Sequence, residues 1–163
     1  MEMISNSEEE TEELAAKLAS RLKAGDNVCL YGELGAGKTC FARGIVSSLR
    51  RGRAAPAEQD APAEQAAPDA PVAPDVPVKS PSYTLLNIYE GNPKIYHFDF
   101  YRIDNNDEIM ELGLDEYWGG DGICIVEWPK GFCAALPGRT IDVIIDFTEN
   151  MKRKIKVGIP EDG

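Results

Sequence analysis

Gly32-Glu33-Leu34-Gly35-Ala36-Gly37-Lys38-Thr39 is the stretch on which the reading of this chain turns. It satisfies G-x-x-x-x-G-K-[ST] at every fixed position. Glycines let a backbone curl until successive N–H groups point into one concavity, which attracts anions. A helix opening near Lys38 would add its positive dipole end. Lys38 supplies a cation for terminal phosphates, and the Thr39 hydroxyl suits Mg²⁺ as a ligand. The flanks agree. Upstream, Val28-Cys29-Leu30-Tyr31 is a short apolar run of the kind that forms a buried strand. Downstream, Phe41, Ile45, Val46 and Leu49 mark the inner face of a helix.

Working outward, Ser7 with Glu10 forms a capping-box pattern. Leu14, Leu18 and Leu22 follow at helical spacing, with Gly25 as the expected stop. Thr84–Tyr89 and Ile95–Phe100 read as strands separated by the turn signal Gly91-Asn92-Pro93. Ile109, Met110 and Leu112 suggest a short helix ending at Gly113, and Ile123-Cys124-Ile125-Val126 a second buried strand. Ile141, Val143, Ile145 and Phe147 alternate, as do Ile155, Val157 and Ile159, which predicts a hairpin around Glu149-Asn150. The expected fold class is α/β: a P-loop NTPase-like three-layer fold with a central, mostly parallel sheet and antiparallel edge strands.

Residues 51–79 break this pattern. They hold six of the 11 prolines and nine alanines, and Ala-Pro-Ala-Glu-Gln occurs twice, at 55–59 and 61–65. With no aromatic residue and only Val for bulk, such a segment cannot bury enough surface to offset its ordering entropy. We read it as a disordered, Ala/Pro-rich insertion within a single domain spanning 1–163, tolerated because lengthening a loop adds little closure entropy.

The chain has 163 residues, 17 Lys plus Arg against 28 Asp plus Glu, and a formal net charge of −11. That balance argues against a free-standing nucleic-acid or membrane-surface binder, which would need a basic face. No apolar run approaches the roughly 20 residues of a membrane span. The acidic start (Glu8, Glu9, Glu10, Glu12, Glu13) has the wrong sign for a secretory signal. None of Cys29, Cys40, Cys124 and Cys133 lies in a Cys-x-x-Cys pair, and Cys29 and Cys124 sit in apolar runs. The expectation is four reduced thiols in a cytoplasmic protein.

A phosphate loop also needs an acid near the metal, at the end of a neighbouring strand. Asp99 follows Ile95-Tyr96-His97-Phe98, and Glu127 follows Ile123-Cys124-Ile125-Val126. Spacing alone does not rank them. His97, the only histidine, lies on an apolar strand and reads as a hydrogen-bonded structural residue; Trp118 and Trp128 read as packing residues.

Several separate blocks then carry a resemblance: the phosphate loop continuing into Cys40-Phe41-Ala42-Arg43-Gly44; Ser80-Pro81-Ser82-Tyr83-Thr84-Leu85; Tyr96-His97-Phe98-Asp99-Phe100-Tyr101-Arg102; Glu111-Leu112-Gly113-Leu114; and Ile125-Val126-Glu127-Trp128-Pro129. In this order they resemble the bacterial TsaE (YjeE) family, small P-loop ATPases of the tRNA threonylcarbamoyladenosine (t6A) pathway. The resemblance implies that Gly35, Ala36, Gly37, Lys38, Thr39 and Cys40 cradle ATP phosphates, with Lys38 on the β- and γ-phosphates. It implies that Thr39 and Glu127 hold Mg²⁺ and that Asp99 sits by the metal waters or the γ-phosphate, a candidate for positioning the attacking water. Ser80–Thr84 would be a switch-like loop, with Thr84 among the nucleotide-binding residues. Trp128 would lie beside the site, and Glu8 would approach the adenosine. Position 40, often a second Thr in the family, is Cys40, so only a backbone contact to phosphate would survive there. The implied partners are TsaD and TsaB, whose threonylcarbamoyl transfer the ATPase would drive without performing it, with tRNA met only indirectly and no membrane involved.

Two other readings compete. A small-molecule kinase would need a second pocket and an arginine-bearing lid; Arg51 and Arg53 stand in the insertion, but no helical lid pattern surrounds them. A GTPase-like switch would need Asn-Lys-x-Asp to read guanine, which Asn92-Pro93-Lys94 does not supply. No residue is an obvious trans-acting arginine finger; Arg43 and Arg102 are no more than candidates. Slow intrinsic turnover is therefore expected, since lacking a finger can cost about 10³–10⁵-fold.

Overall fold

The structure, a computed structural model, describes residues 1–51, 77–148, 150 and 152–160. Its described elements run β1 (Glu2–Ser5), α1 (Glu8–Ala19), β2 (Asn27–Tyr31), α2 (Lys38–Arg51), β3 (Leu86–Tyr89), β4 (Ile95–Asp99), α3 (Asn106–Glu111), β5 (Ile123–Glu127), β6 (Thr140–Phe147) and β7 (Arg153–Gly158), with 3₁₀ turns at Leu114–Tyr117 and Phe132–Ala135. Seven strands form one sheet in the order β1-β7-β6-β2-β5-β4-β3. The inner run β6-β2-β5-β4 is parallel. The pairs β1–β7, β6–β7 and β3–β4 are antiparallel. The parallel centre with antiparallel edges agrees with the sequence expectation.

Alternation along the strands builds the layers. Val28 and Leu30 of β2 face one side with Ile123, Ile125, Ile141 and Val143, where Ala15 and Leu18 of α1 and Phe41 and Ile45 of α2 cover them. Cys29, Cys124, Val126 and Phe98 face the other side, covered by Ile109 of α3 and by Leu114, Phe132 and Leu136. The second layer is thus a short helix and two tight turns rather than full helices. Cys29 is joined to Cys133 by a disulfide across 104 residues, their Cα atoms 6.6 Å apart, while Cys40 and Cys124 are free and buried. This corrects the expectation of four reduced thiols. The pairing has no local signature, because only the second-face core brings the two cysteines together.

One helix end, one capping contact and one strand differ from the sequence expectation. Helix α1 stops at Ala19 rather than near Gly25. Arg21 N–H and Leu22 N–H donate to Leu18 O and Ala19 O, so the chain tightens into 3₁₀-type turns, while Leu22 still packs on the core. At the other end Ser7 caps Glu10 N–H, but the Glu10 carboxylate returns to Asn6 N–H instead of to Ser7. Strand β1 carries no readable pattern in four residues and exists by pairing with β7. The expected disordered insertion falls, over 52–76, outside the described residues, as does Glu149 of the expected turn.

Gly32 ends the central strand with φ +147°, and a Cβ added there would collide with the carbonyl oxygen of Ile145 on β6. Backbone rather than a flexible side chain stands in the way, so the clash cannot be relieved by a rotamer change. Gly32→Ala is expected to lower unfolding stability by about 2–3 kcal/mol in urea titration.

Candidate functional site

Two adjacent parallel strands, β4 and β5, end in register on Asp99 and Glu127, and Leu30 of β2 pairs with Glu127 from the other side. The loop between β2 and α2 therefore arches over two carboxylates at the carboxyl ends of the strands, where ligands bind in open α/β sheets. A cleft of about 300 Å³ opens there, lined by Gly35, Gly37, Lys38, Thr39, Asp99 and Glu127 among others. A larger, more open hollow of about 610 Å³ by Tyr31, Arg139 and Asp142 shares none of these residues.

Positive φ at Gly32, Gly35 and Gly37 curls the loop. At Gly35 a Cβ would meet nothing within 4 Å, so this backbone faces open space. At Gly37 a Cβ would come within 2.8 Å of Arg153 Nε.

Lys38, at the start of α2, is only 4 % exposed. Its ammonium donates to Gly32 O at 2.7 Å and Glu33 O at 2.8 Å, and lies 3.7 Å from the centroid of the Trp128 ring. Burial pulls the Lys38 pKa below its ordinary value, and the charges of Glu127 and Asp99 oppose that shift. Trp128 has φ +56°, an unfavourable backbone for a bulky residue, and its ring packs tilted at 58° against Tyr101 with centroids 4.9 Å apart. The strained turn after Glu127 aims the indole at Lys38.

Thr39 Oγ1 donates to Glu127, 2.9 Å from Oε2 and 3.1 Å from Oε1. Glu127 Oε1 also accepts from His97 Nε2–H at 2.8 Å, in a pair with side chains 0 % (His97) and 3 % (Glu127) exposed. Asp99 is spoken for differently. Oδ2 accepts from the hydroxyls of Ser80 and, at 2.9 Å, Ser82, while Oδ1 accepts from Tyr101 N–H at 2.9 Å. Glu127 thus faces the Thr39 hydroxyl, and Asp99 ties the Ser80 segment to the site.

Cys40 is a buried residue of the cleft wall and donates Sγ–H to Glu8 O at 3.4 Å. Burial raises its thiol pKa, so it stays protonated. Glu8 lines the cleft from the start of α1 and pairs with Arg43 Nη2 at 3.2 Å; Arg43 Nε reaches Glu12 at 2.6 Å. Both Arg43 contacts are carboxylates of α1. The other arginine-finger candidate, Arg102, stacks over Tyr83 at 4.3 Å.

Two expected residues are not brought to the cleft wall. Ala36 is packed in the core, with its N–H on Glu33 O and its carbonyl on Arg153 Nε. Thr84 is exposed in the turn before β3. Ser80 and Ser82 stand in the cleft instead, and so does Arg153 of β7, which sequence reasoning missed. Arg153 sits in Lys152-Arg153-Lys154, where nothing separates a site residue from a solvated strand edge.

The donor set fits a divalent cation of the Mg²⁺ type: a hydroxyl and carboxylates, all hard oxygen ligands. Among the described residues no group of three or more His, Cys, Asp or Glu could hold a metal by itself.

The sequence profile of the family described as "Threonylcarbamoyl adenosine biosynthesis protein TsaE" matches residues 5–57 and 66–155. Over 148 residues the chain is 34 % identical to the tRNA threonylcarbamoyladenosine biosynthesis protein TsaE of Bacillus subtilis, covering 90 % of this chain and 78 % of that one. The protein so named in Treponema pallidum is 27 % identical over 157 residues, covering 96 % and 99 %. The crystal structure of Bacillus subtilis YdiB superposes with a TM-score of 0.68 at 27 % identity, covering 98 % of this chain and 86 % of that one. Since the family match runs through the phosphate loop, the Ser80 segment and both strand-end acids alike, this chain belongs to the TsaE family of threonylcarbamoyl adenosine biosynthesis proteins.

Proposed function

We propose that the protein is a Mg²⁺-dependent ATPase that serves tRNA t6A modification by driving the cycle of the TsaD–TsaB transferase pair, and that it turns over slowly alone. The observation carrying this reading is the convergence of the Lys38 ammonium, the Thr39 hydroxyl and the Glu127 carboxylate beneath one glycine loop. Loop amides and Lys38 bind the triphosphate, Lys38 exchanging two loop carbonyls for phosphate oxygens. Thr39 and Glu127 hold Mg²⁺, which when bound neutralises phosphate charge. Asp99 orients the attacking water. Its hold on Ser80 and Ser82 makes the 80–84 segment the part of the chain that senses the γ-phosphate position.

Slow turnover alone rests on the arginines. Arg43 and Arg153 line the cleft, but Arg43 is held by two acids of α1 and Arg153 by the Ala36 carbonyl, while Arg102 lies over the Tyr83 ring, so each is already engaged. The net charge of −11 leaves tRNA contact to the partners. No described helix is long and apolar enough to cross a membrane. Phosphate release measured with and without TsaD–TsaB tests the reading. Acceleration of at least about 10-fold by the pair is expected, and rapid turnover unaffected by it would count against the proposal.

A further inference from the structure

The one histidine has a placement that core packing does not explain. His97 lies on β4 opposite Ile125 of β5, one pleat before the pair Asp99 and Glu127. Ile95 and Ile125 belong to the core facing α1 and α2, so His97, Asp99 and Glu127 point the same way by alternation. The imidazole is 0 % exposed and stacks on Tyr89 with ring centroids 6.2 Å apart. Its Nε2–H donates to Glu127 Oε1 at 2.8 Å, and its Nδ1 is buried without a hydrogen-bond partner. A neutral imidazole has one N–H to give. Here it goes to the carboxylate, and the other nitrogen is left bare. Filling this volume with an apolar ring would avoid burying that nitrogen, so the bond to Glu127 is what the histidine adds.

We infer that His97 is a positioning residue for Glu127: it ties Oε1 so that Oε2 is the oxygen offered to Thr39 and to a divalent cation. Thr39 Oγ1 has a single hydrogen and stands within 0.2 Å of equidistance from the two oxygens, at 2.9 and 3.1 Å, so it does not by itself fix the carboxylate plane. His97 does, from the side away from the cleft. The arrangement matches a general requirement of metal sites, where partners hydrogen-bonded to a ligating group set its orientation and their loss lowers metal affinity about 10–100-fold. This inference rests on the proposed Mg²⁺–ATP site.

The test is ATP affinity of the full chain by calorimetry, once in EDTA and once in saturating Mg²⁺. The ratio of the two dissociation constants measures how strongly metal and nucleotide are coupled. His97→Phe keeps an aromatic ring and removes the donor; His97→Gln offers a side-chain N–H near the position of Nε2; His97→Asn holds its amide too short. The coupling ratio is expected to fall about 10-fold in His97→Phe and His97→Asn and to recover mostly in His97→Gln, with affinity in EDTA changing less than about 2-fold throughout. If His97→Phe does not melt cooperatively, the Asn and Gln pair decides. A ratio within about 2-fold of the parent in the variants lacking the donor overturns the inference. So does a parallel loss of affinity in EDTA, which is what a merely structural histidine would produce. A parent protein that binds no ATP, or binds it without regard to Mg²⁺, removes the underlying reading instead, a result visible before any variant is made.

Discussion

Lys38→Ala removes the thermal stabilisation that Mg²⁺–ATP confers on the parent protein. A ligand present at 100 times its dissociation constant stabilises the folded state by about 2.7 kcal/mol. For a chain of this size that raises Tm by about 5–10 °C. Lys38 is the one lysine lining the cleft, and its ammonium is already desolvated against two loop carbonyls and the Trp128 ring. A desolvated cation interacts with phosphate more strongly than an exposed one, because little water must be stripped away on contact. Taking it away leaves the loop amides without a compensating charge, while Asp99 and Glu127 remain buried at 3 % and 2 % exposure and repel an anion. The shift in scanning fluorimetry is expected to shrink below about 1 °C at the same nucleotide concentration. An unchanged shift would take the phosphate loop out of the mechanism.

Glu127→Gln leaves nucleotide binding in EDTA nearly intact and lowers Mg²⁺-dependent phosphate release, measured with the TsaD–TsaB pair present, by about 10²–10³-fold. The side chain keeps its shape, its amide oxygen can still accept from His97, and the buried site loses one negative charge. The loss is the anionic oxygen that faces Thr39, and several kcal/mol of metal-assisted stabilisation correspond to that range of rates. Asp99→Asn separates the two acids. Asp99 makes no hydrogen bond with Thr39 and is held by Ser80, Ser82 and Tyr101 N–H. Its substitution is expected to slow release while leaving the coupling of Mg²⁺ to ATP within about 2-fold. If Glu127→Gln releases phosphate at the parent rate, the metal role belongs to Asp99.

The phosphate loop was legible because its chemistry is local. Glycines, a lysine and a threonine at fixed spacing must act together in eight consecutive residues, so the pattern survives without any knowledge of distant contacts. The buried strands were legible for a similar reason, since strands covered on both faces read as short apolar runs. Pairings were not legible. Asp99 and Glu127 each ended an apolar run, and nothing in either run could say which meets Thr39; that choice rests on β5, and not β4, lying beside β2 in the sheet. Arg153 and strand β1 were invisible, because each takes its meaning from a partner across the sheet: Arg153 from Ala36 O, β1 from β7. His97 was seen as hydrogen-bonded but without its partner.

Taken by itself, the chain of residues determined that a glycine-rich turn of the phosphate-loop pattern joins a buried strand to a helix, that two acids stand at strand ends, and that acidic residues outnumber basic ones. These are properties of composition and short-range order, set by backbone conformation and hydrophobic periodicity. Tertiary structure alone decided that Glu127 and not Asp99 meets the Thr39 hydroxyl, that Ser80 and Ser82 rather than Thr84 reach the site, that Arg43 is tied to α1 and that Cys29 meets Cys133. Each of those is a contact between segments far apart in the chain, and the free energy that selects it comes from packing two faces of one sheet at once, which no window of sequence contains.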